Sequence, residues 1–199
     1  MAELKPYRVE GVTGIILAGG KGTRMKGEDK GLILLNGKPL YQHVFACLQP
    51  QVAVVAISAN RHQECYQQSG CDVFSDTLTG FAGPLAGMLS ALHHIRTEWA
   101  VFASCDTPFL PQDLVKKLWQ GKGQANIAWV RSHDRDHPTL ALMHKSVASQ
   151  LEEYLQRGDR KLMFFMREMA GNAVVFEDDQ AFVNINTPED LAAFQEAAQ

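Results

Sequence analysis

Cysteine is scarce and unpaired in this chain of 199 residues. Cys47, Cys65, Cys71 and Cys105 form no C-x-x-C. That spacing gives neither a disulfide framework nor a zinc-type pair of pairs, and free thiols in a reducing compartment are expected. No stretch approaches the ~18 apolar residues needed to span a bilayer. The opening Met-Ala-Glu-Leu-Lys-Pro-Tyr-Arg holds no apolar signal core. A cytoplasmic location without a membrane partner is the expectation. Excess charge is missing too: 19 basic against 22 acidic side chains leave −3. No overall basic field exists to attract nucleic acid. Repeats, low-complexity tracts and linkers are also absent. The reading is a single domain over residues 12–199, preceded by a tail of residues 1–11.

Two familiar phosphate loops are absent as well. No G-K-[ST] closes a Walker loop near the N-terminus, and Gly20-Lys-Gly22 is followed by Met25 where the dinucleotide fingerprint needs glycine. What stands there instead is Gly14-Ile-Ile-Leu-Ala-Gly-Gly-Lys-Gly-Thr-Arg-Met-Lys-Gly-Glu-Asp-Lys30. An apolar run, Val12 to Ala18, breaks directly into glycines, as a buried parallel strand does on entering a tight loop. Glycines let successive backbone N–H groups approach phosphate oxygens. Lys21, Arg24, Lys26 and Lys30 add charge along a polyphosphate. The stretch reads as a site for a nucleoside triphosphate rather than a solvated surface turn.

Strand-like and helix-like segments alternate through the first 120 residues. Strands are expected at Val12–Ala18, Val52–Ile57, Cys71–Phe74 and Trp99–Ser104. Helices are expected from Pro39, over Arg61–Ser69, from Pro84 and over Pro111–Gln120. Further on, Ile127–Val130, Thr139–Met143 and Val174–Phe176 read as strands. Ser146–Leu155, Lys161–Met169 and Pro188–Ala197 read as helices. The pattern predicts an α/β fold, a mostly parallel sheet with helices on both faces. Ligands in such sheets sit beyond the carboxyl ends of the strands. Four strand ends carry polar residues: Gly19-Gly20, Ser58-Ala-Asn60, Ser75-Asp76 and Cys105-Asp106.

Asp106 ends an apolar strand opposite the glycine loop, and a lone carboxylate there suits Mg²⁺, which binds through one or two carboxylates plus substrate phosphates. The alternative is a turn-forming Asp. Asp76 offers acceptors to a base or ribose, and Asn60 offers donors and an acceptor, or else caps the next helix. Gly83-Pro-Leu-Ala-Gly87 opens a helix with room for a nucleoside. His133-Asp-Arg-Asp-His137 has zinc-like spacing, but Pro138 and strand-like flanks take it off a helix. It reads as a polar loop facing substrate or solvent. Asn184 and Asn186 share a face if extended, with Asn186 or Thr187 available to cap the last helix.

Taken together, Leu17-Ala-Gly-Gly-x-x-x-Arg24-Met25 with Asp29-Lys30, Ser58-Ala-Asn60-Arg, Gly83-Pro-Leu-Ala-Gly87, Cys105-Asp106-Thr-Pro108, Arg135-Asp-His-Pro138 and Asn184-x-Asn186-Thr-Pro resemble the molybdenum cofactor guanylyltransferase family of MobA-like nucleotidyltransferases. The motifs run in order from about residue 12 to residue 196. The resemblance implies a Rossmann-like nucleotidyltransferase fold. It implies transfer of GMP from GTP to the terminal phosphate of molybdopterin or Mo-molybdopterin, with Mg²⁺ as cofactor and proteins of that cofactor's pathway as partners. It places Leu17, Ala18 and Gly19 on the guanine through backbone atoms, with Gly20 beside them on the nucleotide. Arg24 and Lys30 would line the phosphates as catalytic cations. Ser58, Asn60, Asp76 and Gly83 join the nucleotide side, with Asp106 as metal ligand. Arg135, Asp136, His137, Pro138, Asn184 and Asn186 would face the pterin. One departure is Ser58, where family members often carry Asn.

Two other readings stay open at this level. One is a related transferase using CTP or a sugar phosphate. The cytidylyl relatives tend to read A-A-G where this chain has Ala18-Gly19-Gly20. The other is a non-catalytic nucleotide or cofactor carrier, which would not need Arg24, Lys30 and Asp106 together.

Overall fold

The computed structural model describes residues 7–19, 27–78, 83–133 and 135–196. Gly20 and Arg24, two of the expected site residues, lie outside them. The strands are β1 (Val9–Leu17), β2 (Leu34–Leu35), β3 (Lys38–Pro39), β4 (Val52–Ser58), β5 (Asp72–Phe74), β6 (Trp99–Ser104), β7 (Ile127–Ser132), β8 (Arg135–His144) and β9 (Asn172–Phe176). The helices are α1 (Leu40–Leu48), α2 (Gln63–Gln67), α3 (Pro84–His94), α4 (Leu114–Gly121), α5 (Ala148–Gln156), α6 (Leu162–Glu168) and α7 (Pro188–Glu196).

Seven strands form one sheet in the order β5-β4-β1-β6-β8-β7-β9. All neighbours are parallel except β8, which runs antiparallel to both β6 and β7. The alternation of β1 shows why both faces must be covered. Val12 and Ile16 face one apolar layer, with Tyr41 and Val44 of α1 and Leu114 and Leu118 of α4. Ile15 faces the other, with Leu85 and Leu89 of α3, Leu151 of α5 and Phe165 of α6. Burial of a side chain such as Ile15, fully covered, contributes about 1.5–3 kcal/mol. This is the expected α/β architecture in a single domain.

The chain order sets the site. From β1 the crossovers run outward to β4 and β5, then the chain returns to place β6 on the other flank of β1. The direction of winding reverses between β1 and β6, and a crevice opens at such a switch point.

Several boundaries differ from the sequence reading. β1 starts at Val9, and Gly11 (φ +78) takes up a register shift between Val9 and Thr13, the backbone freedom a bulge asks for. A small hairpin, β2–β3, turns through Asn36 (φ +51) and Gly37 (φ +77), the Asn-Gly signature of a tight turn. The helix expected over Arg61–Ser69 shrinks to α2, because His62 at φ +49 is left-handed and cannot be helical. The largest correction concerns Arg135, Asp136, His137 and Pro138. They lie in β8, not in a loop, and Ser132, Arg131 and Val130 of β7 pair with Arg135, Asp136 and His137. The register then shifts between Trp129 and Val130, where Pro138 enters the strand. Proline has no N–H for the ladder and is tolerated at such an irregularity.

Candidate active site

Four parallel strands end in register. Phe74, Ser58, Leu17 and Ser104 form one row across β5, β4, β1 and β6. One further rung extends the ladder: Ala59 N–H donates to Phe74 O, Ala18 N–H to Ser58 O and Cys105 N–H to Leu17 O, at 2.9, 2.8 and 3.1 Å. Two residues beyond the row stand Asp76, Asn60, Gly19 and Asp106. The sheet thus delivers the four expected strand ends to a single edge.

On the β4–β5 side, Asn60 and Asp76 hold each other. Asn60 Nδ2 donates to Asp76 Oδ2 at 2.9 Å, and the Asp76 N–H donates to Asn60 Oδ1 at 2.8 Å. Asn60 therefore does not cap α2. The other carboxylate oxygen, Asp76 Oδ1, is buried with no hydrogen-bond partner among the described residues. A buried unpaired acceptor costs about 1–3 kcal/mol, so a donor brought to this atom would be stabilising. The first turn of α3 closes over it. A Cβ built on Gly87 would lie 3.4 Å from Leu17 Cδ2 and Ser58 Oγ and 3.5 Å from Asp76 Oδ1. Gly83 precedes that turn at φ +101, and Gly19 faces Asn60, whose Nδ2 would stand 3.2 Å from an added Cβ. Leu17, Ala18, Gly19, Ser58, Asn60, Asp76 and Gly83 are thus on one side of the crevice.

The β6 side carries charge. Lys30, on a single 3₁₀ turn (Lys30–Leu32), reaches across with Nζ 3.2 Å from Asp106 Oδ2 and 2.8 Å from Asn186 Oδ1. Ser104 Oγ donates to Asp106 Oδ1 at 2.5 Å. Asn184 accepts from Thr107 Oγ1 at 2.8 Å, and between the two asparagines Ile185 N–H donates to Asp106 O at 2.9 Å. Ile185 is fully buried against Leu35 and Leu40. One apolar anchor between two polar residues turns both amides toward the end of β6. Thr187, not Asn186, caps α7: Asp190 N–H donates to Thr187 Oγ1 at 3.1 Å, while Asp190 Oδ2 accepts from the N–H groups of Asn186 and Thr187, both at 3.0 Å. This reciprocal arrangement is a capping box. The Asn186 N–H first, then Thr187, holds the Asp190 carboxyl below its ordinary range.

Asp106 and Asn186 present two oxygens to one ammonium group, a hard-donor set of the kind that Mg²⁺ takes alongside phosphate oxygens. The residues present fit that ion. No group of three or more His, Cys, Asp or Glu suited to a metal occurs among the described residues, and His133 Nδ1 lies 2.6 Å from Asp179 Oδ2.

The β7–β8 hairpin ends at the same edge, since β8 starts where β6 finishes. Arg135 is exposed there. His137 Nε2 lies 2.7 Å from Ser132 Oγ, and its ring is tilted against Phe182 with centroids 5.4 Å apart. Burial, then the nearby Arg135, pushes the imidazole pKa down. Asp136 is turned to other work. Its Oδ1 accepts from Arg131 Nε at 2.7 Å and Trp129 Nε1 at 2.8 Å. Its Oδ2 accepts from Arg131 Nη2 at 3.0 Å and Arg167 Nη2 at 3.3 Å. Hydrogen bonding to Arg131, then to Trp129, brings its pKa down to about 2. With both oxygens engaged, Asp136 is a latch between the hairpin and α6.

The model of the MobA-like NTP transferase domain matches residues 14–193. The chain belongs to this family. Among MobA-like relatives, the molybdenum cofactor guanylyltransferase of Serratia proteamaculans is 53% identical over 94% of this chain and 95% of its own. The protein of the same name from Yersinia pestis is 52% identical over 93% and 95%. The crystal structure of molybdopterin-guanine dinucleotide biosynthesis protein A from Archaeoglobus fulgidus superposes with a TM-score of 0.74 at 26% identity. It covers 94% of this chain and 98% of that one. No helix among the described residues is long and apolar enough to cross a membrane.

Sequence reasoning missed several participants in this MobA-like site. Ser104 and Thr107 orient Asp106 and Asn184, and their adjacency to Asp106 was the available signal. Arg131 and Arg167 hold Asp136, and Asp29 braces the turn that carries Lys30. Arg167 and Asp29 meet partners 31 and 37 residues away, which no local pattern shows.

Proposed function

We propose that the chain transfers GMP from GTP to the terminal phosphate of molybdopterin or Mo-molybdopterin, releasing pyrophosphate and forming molybdopterin guanine dinucleotide. The observation that carries the reading is the Lys30–Asp106–Asn186 cluster at the switch point, across the ends of β1 and β4 from Asp76 Oδ1, which has no partner among the described residues. The names of relatives more than half identical support the same choice.

In this reading a phosphate oxygen of the pterin substrate attacks the α-phosphorus of GTP. A new P–O bond forms as the bond to the β,γ-diphosphate breaks. The nucleophile is already anionic at neutral pH, so no general base is needed. Catalysis is positioning and charge neutralisation. Asp76 accepts donors of the nucleoside, Asn60 fixes that carboxylate, and Leu17, Ala18 and Gly19 bring backbone groups to the guanine. Lys30 and Arg24 neutralise the phosphates. Asp106, with Asn186, would hold Mg²⁺. When bound, that ion supplies positive charge to the phosphate oxygens as a Lewis acid. Asn184, Arg135 and His137 face the pterin substrate. The work takes place in the cytoplasm with other proteins of the cofactor pathway.

The test is thermal stabilisation by each of four nucleoside triphosphates with Mg²⁺, since a ligand of the native state raises the melting temperature. GTP should give the largest shift. An equal or larger shift with CTP would move the assignment to a cytidylyltransferase.

A further inference from the structure

We infer that Asp29, clasped by Tyr66 and His62, is a positioning residue that sets Lys30 in the site without touching substrate. Lysine has a long flexible stem and a single charge at its tip. Its ammonium reaches two specific oxygens only if the root of the side chain is fixed. Asp29 directly precedes it, and its side chain is 5% exposed. Three donors converge on that carboxylate. Tyr66 Oη donates to Oδ1 at 2.5 Å, the Gly31 N–H to the same oxygen at 3.3 Å, and His62 Nδ1 lies 3.1 Å from Oδ2. A carboxylate withdrawn from water is retained only with such partners, and mere filling of this space would favour an apolar side chain.

The clasp acts on the backbone that carries Lys30. Asp29 caps the 3₁₀ turn through Gly31, and its carbonyl accepts from Leu32 N–H at 3.0 Å. Tyr66 also presses on the turn itself. A Cβ built on Gly31 would collide with the Tyr66 hydroxyl. Tyr66 is fully buried in α2 and packs edge-on to Tyr41 with ring centroids 4.9 Å apart. Burial first pushes its hydroxyl above the ordinary phenol range, which keeps it a donor. The clasp therefore anchors Lys30 to α2 and to His62, two residues past Asn60. The loop that orients Asp76 on the nucleoside side and the turn that aims Lys30 on the phosphate side share one rigid fixture.

The consequence for catalysis rests on the guanylyltransferase reading. The placement of Lys30 does not. Full-length Tyr66→Phe, Asp29→Asn, Lys30→Ala and the Tyr66→Phe/Lys30→Ala double variant decide between them. In ligand-free protein, the ¹⁵N ammonium resonance of Lys30 should move toward those of exposed lysines in Tyr66→Phe and Asp29→Asn. In turnover with GTP and molybdopterin, Tyr66→Phe should lose about tenfold in kcat/KM. The double variant should be no slower than Lys30→Ala alone, the non-additivity expected of residues acting through one another. Should Tyr66→Phe not fold, Asp29→Asn carries the same comparison with Lys30→Ala. An unmoved Lys30 resonance in the folded variants, or losses that multiply, would overturn the inference. A moved resonance with Lys30→Ala turning over normally would support the clasp and sink the phosphate role of Lys30.

Discussion

Asp106→Asn keeps the shape of the side chain and removes its charge. Asp106 Oδ1 takes a hydrogen bond from Ser104 and Oδ2 takes one from Lys30 at 3.2 Å. An amide oxygen can still serve Ser104. The Nδ2 of the variant would then meet the Lys30 ammonium, donor against donor. Lys30 keeps Asn186 at 2.8 Å, and its side chain is 23% exposed against 9% for Asp106. Lost charge-assisted hydrogen bonding of this kind costs about 1.5–3 kcal/mol when buried. The partial exposure of Lys30 puts the stability cost near the bottom of that range. Catalysis should suffer more. Loss of a metal-holding carboxylate removes charge stabilisation of several kcal/mol in the transition state, and about 3–4 kcal/mol corresponds to roughly 10²–10³ in rate. The assay is kcat/KM for dinucleotide formation beside a melting curve of the same preparation. A folded Asp106→Asn protein within tenfold of wild type would refute the role given to Asp106.

Asn60→Ala frees Asp76 and its N–H, so GTP affinity measured by calorimetry should fall by about tenfold. Unchanged affinity would remove Asp76 from the nucleoside site. Thr187→Ala breaks the capping box of α7 and should lower stability by ~1 kcal/mol, with GTP affinity unaffected. Asn184→Ala should weaken molybdopterin binding and spare GTP, and the reverse pattern would invert the division of the crevice. Asp136 has a native pKa lowered to about 2, so the unfolded chain binds the proton first as pH falls. The stability it contributes is present above about pH 4 and is lost as pH falls through about 2. Denaturant unfolding of Asp136→Asn should lack this acid-range loss, and a slope identical to wild type would contradict the latch.

The site was legible where chemistry and a strand end coincide. An apolar run into glycines gave β1, another into Asp106 gave β6, and the i, i+2 pairing of Asn184 and Asn186 held because Ile185 is buried between them. The Asp29 clasp was not legible, since Tyr66 is 37 residues away and nothing local marks either residue as its partner. The strand β8 was hidden by its own composition. Arg135-Asp-His-Pro138 reads as a loop, and only pairing with Val130–Ser132 makes it a strand. The partners of Asp136 were hidden for a related reason. The residue type was read without Arg131, Arg167 and Trp129, which occupy both its oxygens.

Mass identification of the product decides whether a guanylyl group is transferred. The chain is incubated with molybdopterin, Mg²⁺ and an equimolar mixture of GTP, CTP, ATP and UTP. Molybdopterin guanine dinucleotide is expected, with one pyrophosphate released per dinucleotide formed. A cytosine dinucleotide as the main product, or nucleotide binding without any dinucleotide, would contradict that transfer.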